Sequence, residues 1–286
     1  MSKKMRVVLY FVLVIIFALI NFYFRPIEGN KLVKKDSPTY VNGLYYSDEY
    51  FKNNVLDDQS KELYDTIVQD TLKGKNISNY RCELDDCFTR LSKVNSCIYL
   101  DHPELISFQQ ISWSYRDMSS VNVKYNYLDL FRTYLGTKRI EREIDNIKRD
   151  TKNMNDREKI IYVYDYVSGH NYDKIFTYMG SNQSIYSFFT GGESVCSGFA
   201  KSSQVIFQNI GIKSYLVEGY QHLWNYVEFE GKYYVFDATV GASFRDKKSI
   251  YHYEGLGRTT VDQTKGNFQE LYPPIETAKL KDVLDV

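Results

Sequence analysis

The chain has 286 residues, of which 43% are hydrophobic, so it can bury the core of one large domain or two smaller ones. Its 36 basic and 36 acidic residues balance, and we therefore expect no nucleic-acid partner. The 27 tyrosines indicate packed structure rather than a chain that is disordered throughout.

The N-terminus is a basic tip followed by a long apolar run. The run covers 18 residues from Val7 to Phe24, and only Asn21 interrupts it. It can span a bilayer core and ends without a small-residue cleavage site. These features favour a signal anchor over residues 1–28 rather than a cleaved signal peptide or a buried helix. Because the basic tip stays in the cytoplasm, the sequence predicts a single-pass cell-membrane protein with an extracytoplasmic folded part.

Residues 29–56 carry Pro, Gly, Asn and Asp with little periodicity, which predicts a stalk. Residues 57–150 are predicted to form a mostly helical region with one β-hairpin. The expected helices cover Asp57–Leu72, Leu84–Cys97 and Lys138–Lys148, and the expected hairpin strands cover Leu105–Tyr115 and Val121–Leu128.

Residues 151–286 are predicted to be the functional core, with a C-terminal tail that wraps its surface. One helix begins after Asn155 and ends near Gly169, and another begins near Cys196 and ends at Gly211. Three strands are expected over Ser214–Tyr220, His222–Phe229 and Lys232–Asp237. A helix followed by antiparallel strands indicates an α+β fold.

Four cysteines are present, Cys82, Cys87, Cys97 and Cys196. Outside the cytosol cysteines tend to pair, but the spacing here assigns no pair. If Cys196 stays free, one disulfide among the other three leaves an odd thiol. Only His102 lies near the first three in the sequence, which disfavours a metal site, and neither a metal nor a cofactor is expected.

Cys196 lies at a predicted helix start between two glycines, with Ser194 or Cys196 itself as the cap. The N–H groups and partial positive charge at a helix N-terminus favour a thiolate, which is the nucleophilic form of cysteine. The same N–H groups can hold a developing oxyanion. Taken alone, a cysteine at such a position is more often a buried structural thiol.

A predicted hairpin places a histidine and an aspartate on one face. If the turn is centred on Glu230–Gly231, Trp224 faces Asp237 and His222 faces Thr239. The His222, Trp224 and Asp237 side chains then project to the same side, whereas a slip of one residue would separate them. A cysteine, a histidine and an aspartate together favour catalysis, with His222 as the base and Asp237 orienting its imidazole.

These residues resemble the motifs of the transglutaminase-like superfamily. The resemblance lies in the cysteine segment Gly192–Ala200, in His222–Asn225 and Asp237–Thr239, and less specifically in Tyr164–Val167, Asn171–Asp173 and Asp101–Glu104. It implies a papain-like α+β core in which Cys196, His222 and Asp237 are the catalytic triad.

The resemblance also implies attack on a carboxamide or peptide carbonyl to give a thioester acyl-enzyme. Water then gives hydrolysis or deamidation, and an amine gives a crosslink. An upstream side chain is expected to complete the oxyanion hole, and Tyr172 and Gln183 are the candidates. Trp224 is expected either to contact substrate and shield the Cys–His pair from water, or to be a core aromatic residue.

The sequence therefore predicts a membrane-anchored thiol enzyme that acts on protein or peptide amide bonds as a peptidase, deamidase or amine transferase. Hydrolysis is slightly favoured because transfer needs a second binding cleft for the amine. The alternative is a non-catalytic surface binding or assembly module built on the same fold. Neither the substrate nor the oligomeric state follows from the sequence.

Overall fold

The computed structural model describes residues 40–41, 44–45, 49–72, 84–105, 112–113, 121–122, 127–173, 180–244, 249–259 and 268–286. The predicted signal anchor over residues 1–28 lies outside these residues, as does most of the predicted stalk. Along the described part of the chain, no helix is both long enough and apolar enough to cross a membrane.

The described chain begins with a short antiparallel pair, β1 (Tyr40–Val41) and β2 (Leu44–Tyr45). Three helices follow: α1 (Tyr50–Val55), α2 (Asp58–Leu72) and α3 (Leu84–Asp101). Their apolar faces form one buried cluster with the sheet, which includes Phe51, Leu63, Ile67, Leu91, Val94, Ile98, Leu216 and Trp224. This burial is what holds the N-terminal helices to the rest of the fold.

Asp101, at the end of α3, caps the N-terminus of α1. Its two carboxylate oxygens accept hydrogen bonds from the backbone N–H groups of Phe51 (3.0 Å) and Lys52 (2.8 Å). The Phe51 ring is 1% exposed. Residues 50–55 therefore belong to the fold, whereas the sequence predicted a stalk through residue 56, because this cap and this buried ring fix them in place.

The predicted hairpin of the N-terminal region is present in part. β3 (Ser112–Trp113) pairs antiparallel with β4 (Val121–Asn122). Helix α4 (Tyr127–Asp150) begins before the predicted strand end at Leu128 and is longer than the predicted helix over Lys138–Lys148. Leu128, Phe131 and Leu135 recur at helical spacing, which accounts for the longer helix.

Helix α5 (Asp156–Ser168) starts with a capping box, as its sequence predicts. The Asn155 side chain accepts a hydrogen bond from the Glu158 backbone N–H, and the Glu158 carboxylate accepts one from the Asn155 N–H, both at 2.9 Å. The short helix α6 (Ile185–Phe189) follows, and helix α7 (Cys196–Ile210) packs against both helices and the sheet.

The sheet is antiparallel, in the order β5 (Ser214–Gly219), β6 (His222–Phe229) and β7 (Lys232–Phe236). Helix α7 covers one face, where Phe207 meets Phe236 edge-on with ring centroids 4.9 Å apart. Burial of one such phenylalanine contributes about 1.5–3 kcal/mol. A helix packed on an antiparallel sheet makes the fold α+β, as the sequence predicts.

The register of the β6–β7 hairpin agrees with the prediction, but the hairpin is shorter than predicted. Phe229 pairs with Lys232, and pairing continues to Asn225 with Phe236. Beyond that pair the chain turns into helix α8 (Ala238–Ser243), so the predicted pairs of Trp224 with Asp237 and of His222 with Thr239 do not form. The strand stops because Asp237 caps the next helix.

The C-terminal residues extend the sheet past β7. The N–H of Gly257 donates to Val235 O, and that of Glu276 donates to Tyr233 O, both at 2.8 Å. The last helix, α9 (Leu280–Val283), buries Leu280 in the same core as α5 and α7. The tail thus covers the open edge of β7 with backbone hydrogen bonds.

Candidate active site

Cys196 is the first residue of α7, and the N-cap is Val195 rather than the predicted Ser194 or Cys196. No side chain caps this end. The first N–H groups to bond back into the helix are those of Gly198 (2.9 Å) and Phe199 (3.2 Å), both to Val195 O. The N–H groups of the first turn and the helix dipole therefore act on the Cys196 sulfur.

Gly198 allows the chain before the helix to pack against its first turn. A Cβ atom at this position would lie 2.8 Å from Ser194 Cβ and 3.0 Å from the Asn182 carbonyl oxygen. The same carbonyl accepts a hydrogen bond from the N–H of Val195 at 3.1 Å. A larger residue at position 198 would push the loop around Asn182 away from the start of the helix.

A strap over residues 171–173 fixes the other side of the cysteine segment. The Ser194 N–H donates to Asn171 O (3.1 Å), and the Asp173 N–H donates to Ser194 O (2.9 Å). The Asn182 amide then donates to the Asp173 carboxylate at 2.9 Å. Tyr172, in the middle of this strap, is thereby held beside Cys196.

His222 lies at the start of β6 and is positioned by a tight hairpin. It pairs with Gly219 across the turn residues Tyr220 and Gln221, and Gln221 adopts a left-handed conformation with φ of +53°. Its Nε2 atom lies 2.7 Å from Asp237 Oδ2. Because Nε2 bonds to Asp237, Nδ1 is the ring nitrogen that faces Cys196.

Asp237 uses its two carboxylate oxygens for different purposes. Oδ1 accepts a hydrogen bond from the Thr239 N–H (3.0 Å) and so caps α8, while Oδ2 bonds to His222. The residue is 1% exposed, so solvent screens its interaction with the imidazole weakly. The helix cap fixes the direction in which the carboxylate points.

The three side chains form one hydrogen-bonded chain that favours the charged forms of two of them. Burial raises the pKa of Cys196, but the hydrogen bond and charge of His222 and the backbone N–H of Leu223 outweigh it, and the net pKa is below the usual value. Burial lowers the pKa of His222, but its bonds to Asp237 and Cys196 raise it to about 10. The site therefore favours a thiolate beside an imidazolium.

A cleft of about 540 Å³ opens over Cys196 and His222. Its other lining residues are Tyr99, Tyr172, Asn182, Gln183, Val195, Ser197, Glu218, Gly219, Gln221 and Leu223. Both residues predicted as oxyanion donors, Tyr172 and Gln183, are among them. Among the described residues, no group of three or more His, Cys, Asp or Glu side chains could hold a metal ion.

Cys196 and Cys97 carry free thiols. Cys97 lies on α3 with its side chain fully buried, and burial raises its pKa. Cys82 lies outside the described residues, and so does the side chain of Cys87, so the expected tendency of the cysteines to pair is not tested for these two.

Residues 145–238 match the family model of the transglutaminase-like superfamily. The match includes Cys196, His222 and Asp237, and it confirms the resemblance inferred from the motifs. No curated protein matches the chain. A solved structure described as the crystal structure of a TGase matches with 17% identity and a TM-score of 0.34. That match covers 65% of this chain and 56% of the chain in that structure.

Of the two alternatives that the sequence left for Trp224, a substrate contact or a core aromatic residue, the structure agrees with the second. Its side chain is fully buried, and it does not line the cleft. Its ring instead stacks on that of His222, with centroids 5.8 Å apart and an interplanar angle of 22°. Side chains alternate between the two faces of a strand, so the rings of His222 and Trp224, two residues apart, lie on the same face. The Trp224 ring lies on the core side of the imidazole.

Tyr99 is a cleft residue that the sequence analysis missed. Tyr99 comes from α3, outside the segment that matches the family model, and its hydroxyl lies 3.4 Å from Ser197 Oγ. Lys201 also lies beside it, with Nζ 3.9 Å from the ring centroid. Burial raises the pKa of Tyr99 to about 12. Nothing in the spacing of the sequence links residue 99 to residue 197, so only the tertiary packing reveals this wall of the cleft.

Proposed function

We propose that the chain is a thiol enzyme in which Cys196 attacks the carbonyl carbon of a carboxamide or peptide bond. The observation that carries the proposal is the hydrogen-bonded chain from Cys196 through His222 to Asp237, open to a cleft at the Cys196 end. The match of residues 145–238 to the transglutaminase-like superfamily supports it. In this proposal Cys196 is the nucleophile, His222 the acid and base, and Asp237 the group that orients the imidazole.

In the first step the thiolate of Cys196 forms a bond to the carbonyl carbon. The C–N bond of the amide then breaks, and the departing nitrogen takes a proton from the His222 imidazolium. Ammonia leaves from a side-chain carboxamide, and an amine leaves from a peptide bond. The products of this step are a thioester on Cys196 and a neutral imidazole that remains bonded to Asp237.

In the second step water or a primary amine attacks the thioester carbonyl. His222 takes a proton from the attacking group, and the thiolate of Cys196 leaves, which restores the starting pair. Water gives a carboxylic acid, and an amine gives a new amide. The backbone N–H of Cys196 at the helix start is proposed to bind the oxyanion in both steps, together with the side chain of Tyr172 or Gln183.

Tyr172 is proposed to contact the acyl substrate. Tyr172 lies in the wall of the cleft. Its burial raises its pKa, and the charges on Cys196 and Asp173 raise that pKa further. A neutral phenol beside a reacting sulfur can donate a hydrogen bond to a carbonyl oxygen. Loss of one such donor typically lowers kcat by about 10²- to 10³-fold.

Location at the membrane surface is a further part of the proposal. It rests on the sequence alone, through the apolar run from Val7 to Phe24 behind a basic tip. The substrates would then be proteins or peptides outside the cytoplasm. Two results would support this part of the proposal. The full-length chain should be found in the membrane fraction, and a protease added outside intact cells should cleave the folded part that contains Cys196.

The central test is alkylation of the full-length chain by iodoacetamide, with mass spectrometry of the peptide that contains each cysteine. We expect fast labelling of Cys196 at pH 7, slow labelling of the buried Cys97, and loss of the fast phase in His222→Ala. An inert Cys196 would contradict the enzyme proposal and favour the non-catalytic binding module.

The reaction type is decided by incubation with a casein-like protein, with and without a labelled primary amine. Incorporation of the amine identifies a transferase, fragments identify a peptidase, and release of ammonia without either identifies a deamidase. Cys196→Ala is the control, because it removes the nucleophile and leaves the rest of the cleft intact. Equal products from wild type and Cys196→Ala would contradict the assignment of the nucleophile.

A further inference from the structure

Asp237 is held from behind by a turn of the C-terminal tail. The backbone N–H of Asp237 donates to the carbonyl oxygen of Gly255 at 2.8 Å. Gly255 ends a 3₁₀ turn, His252–Gly255, which lies outside the segment that matches the transglutaminase-like superfamily. A Cβ atom at Gly255 would lie 2.0 Å from the Asp237 carbonyl oxygen. The turn therefore packs directly against the peptide unit of Asp237, and only glycine fits there.

The hydroxyl of Tyr164 closes this turn at both ends. It donates to the carbonyl oxygen of His252 (2.9 Å) and accepts from the N–H of Gly255 (3.1 Å). Tyr164 is fully buried on α5, and burial raises its pKa, so the hydroxyl keeps its proton and can donate. Its ring also packs edge-on against Phe236, the residue before Asp237, with centroids 5.4 Å apart.

The ring of His252 ties the same turn to two further elements. Nε2 lies 2.9 Å from the carboxylate of Asp165 on α5, and Nδ1 lies 2.9 Å from the carbonyl oxygen of Phe244 at the end of α8. The turn is thus fixed to α5 and to α8, the helix that Asp237 caps. Asp237 itself is the single residue between β7 and α8.

We propose that Tyr164 and the His252–Gly255 turn are positioning residues for the site, which set the distance between Asp237 and His222. The inference rests on the proposed function, because it concerns the residue that orients the imidazole. A residue at the end of an edge strand has few partners for its backbone. Without the bond to Gly255, Asp237 would lose the partner of its backbone N–H, and a shift of about 1 Å breaks a hydrogen bond of normal length.

The test compares Tyr164→Phe with Tyr162→Phe. Tyr162 lies on the same helix, and its hydroxyl donates to the Asp150 carboxylate at the surface (3.0 Å), so its loss removes one hydrogen bond away from the site. Two quantities are measured on the full-length chain. One is the pKa of the His222 imidazole by NMR, and the other is the pH profile of Cys196 alkylation.

In Tyr164→Phe we expect the His222 pKa to fall by about one unit. The lower limb of the pH profile of Cys196 alkylation should move to higher pH, because a weaker interaction with the His222 imidazolium stabilises the thiolate less. Tyr162→Phe should match wild type in both measurements. Should Tyr164→Phe fold poorly, Asp165→Asn weakens the His252 anchor more mildly, and the shift should keep its sign.

The two proposals fail in different ways. An unchanged His222 pKa in a folded Tyr164→Phe, with only a lower unfolding midpoint, would show that Tyr164 merely anchors the tail, and it would overturn this inference. A slow Cys196 in wild type, with the His222 pKa still falling in Tyr164→Phe, would overturn the proposed function and leave the positioning role intact.

Discussion

Nε2 of His222 lies 2.7 Å from Oδ2 of Asp237, although these residues are not partners in the sheet. Strand pairing stops at Asn225 and Phe236, and Asp237 begins the turn into the next helix. Its carboxylate reaches the imidazole because the helix cap directs it there, rather than because two strands hold the residues opposite each other. The bond therefore depends on the cap and on the tail behind it as much as on the hairpin.

Replacement of Asp237 by asparagine isolates the charge of this pair. The asparagine carbonyl oxygen can still accept from the Thr239 N–H, so α8 should keep its cap. Without the carboxylate, the pKa of His222 should fall from about 10, and kcat/KM should drop by about 10²- to 10⁴-fold. Asp150→Asn, which alters an exposed carboxylate that also accepts one hydrogen bond, is the control. Activity of Asp237→Asn within twofold of wild type would remove Asp237 from the proposed site.

The pH profile of Cys196 chemistry should be bell-shaped and unusually wide. Activity appears as pH rises through the pKa of Cys196, which lies below its usual value, because the thiolate forms there. It disappears as pH rises through about 10, where His222 loses the proton that it gives to the leaving group. A plot of kcat/KM against pH from 4 to 11 measures both limbs. An upper limb near pH 6.5, the ordinary value for histidine, would contradict the raised pKa.

The parts of the site that are close in sequence were predictable, and the parts that come from distant segments were not. The cysteine helix and the two strands carry periodic patterns and turn residues, so local rules predicted the helix that begins at Cys196 and the strand that begins at His222. The predicted register of the β6–β7 hairpin is confirmed, because Glu230 and Gly231 both have positive φ and form a tight two-residue turn.

The features that the sequence missed or left open depend on contacts between distant segments, which the residue pattern of one segment does not predict. For Trp224 the sequence left a substrate contact and a core aromatic residue as alternatives, because alternation puts the ring on the face of His222 but does not tell how deeply it is buried. In the structure the ring is fully buried and stacks on the imidazole. Tyr99 reaches the cleft only because α3 packs beside α7. The turn behind Asp237 was missed because two of its partners, Tyr164 and Asp165, lie on a helix far away in the sequence.

Trp224→Phe distinguishes a support for the imidazole from a substrate contact. The Trp224 Nε1–H has no hydrogen-bond partner among the described residues, so phenylalanine loses ring volume but no bond. We expect the free energy of unfolding to fall by about 1–2 kcal/mol from the loss of packing, with KM unchanged and kcat reduced a few-fold. Urea denaturation and steady-state kinetics measure these effects. A tenfold rise in KM with kcat unchanged would instead show that Trp224 touches substrate, which is the other alternative that the sequence left open.

Lys201→Met tests the charge buried behind the cleft wall. Burial lowers the pKa of Lys201 from 10.5 to about 8, although Glu104 and Glu218 act in the opposite direction. The folded pKa is below the unfolded one, so between pH 8 and 10.5 the unfolded state binds more protons at this site. Lys201 therefore makes wild-type stability rise with pH through this window.

In Lys201→Met this contribution is absent, and methionine retains much of the alkyl packing. The stability of wild type relative to the variant should therefore increase by about 1–3 kcal/mol between pH 7.5 and pH 10.5. Urea denaturation at several pH values measures the difference, and other titrating groups cancel in the subtraction. Lys213→Met, at an exposed position, removes the same charge and should show little change. Parallel stability curves for wild type and Lys201→Met would mean that the Lys201 ammonium is as well solvated in the folded protein as in the unfolded chain.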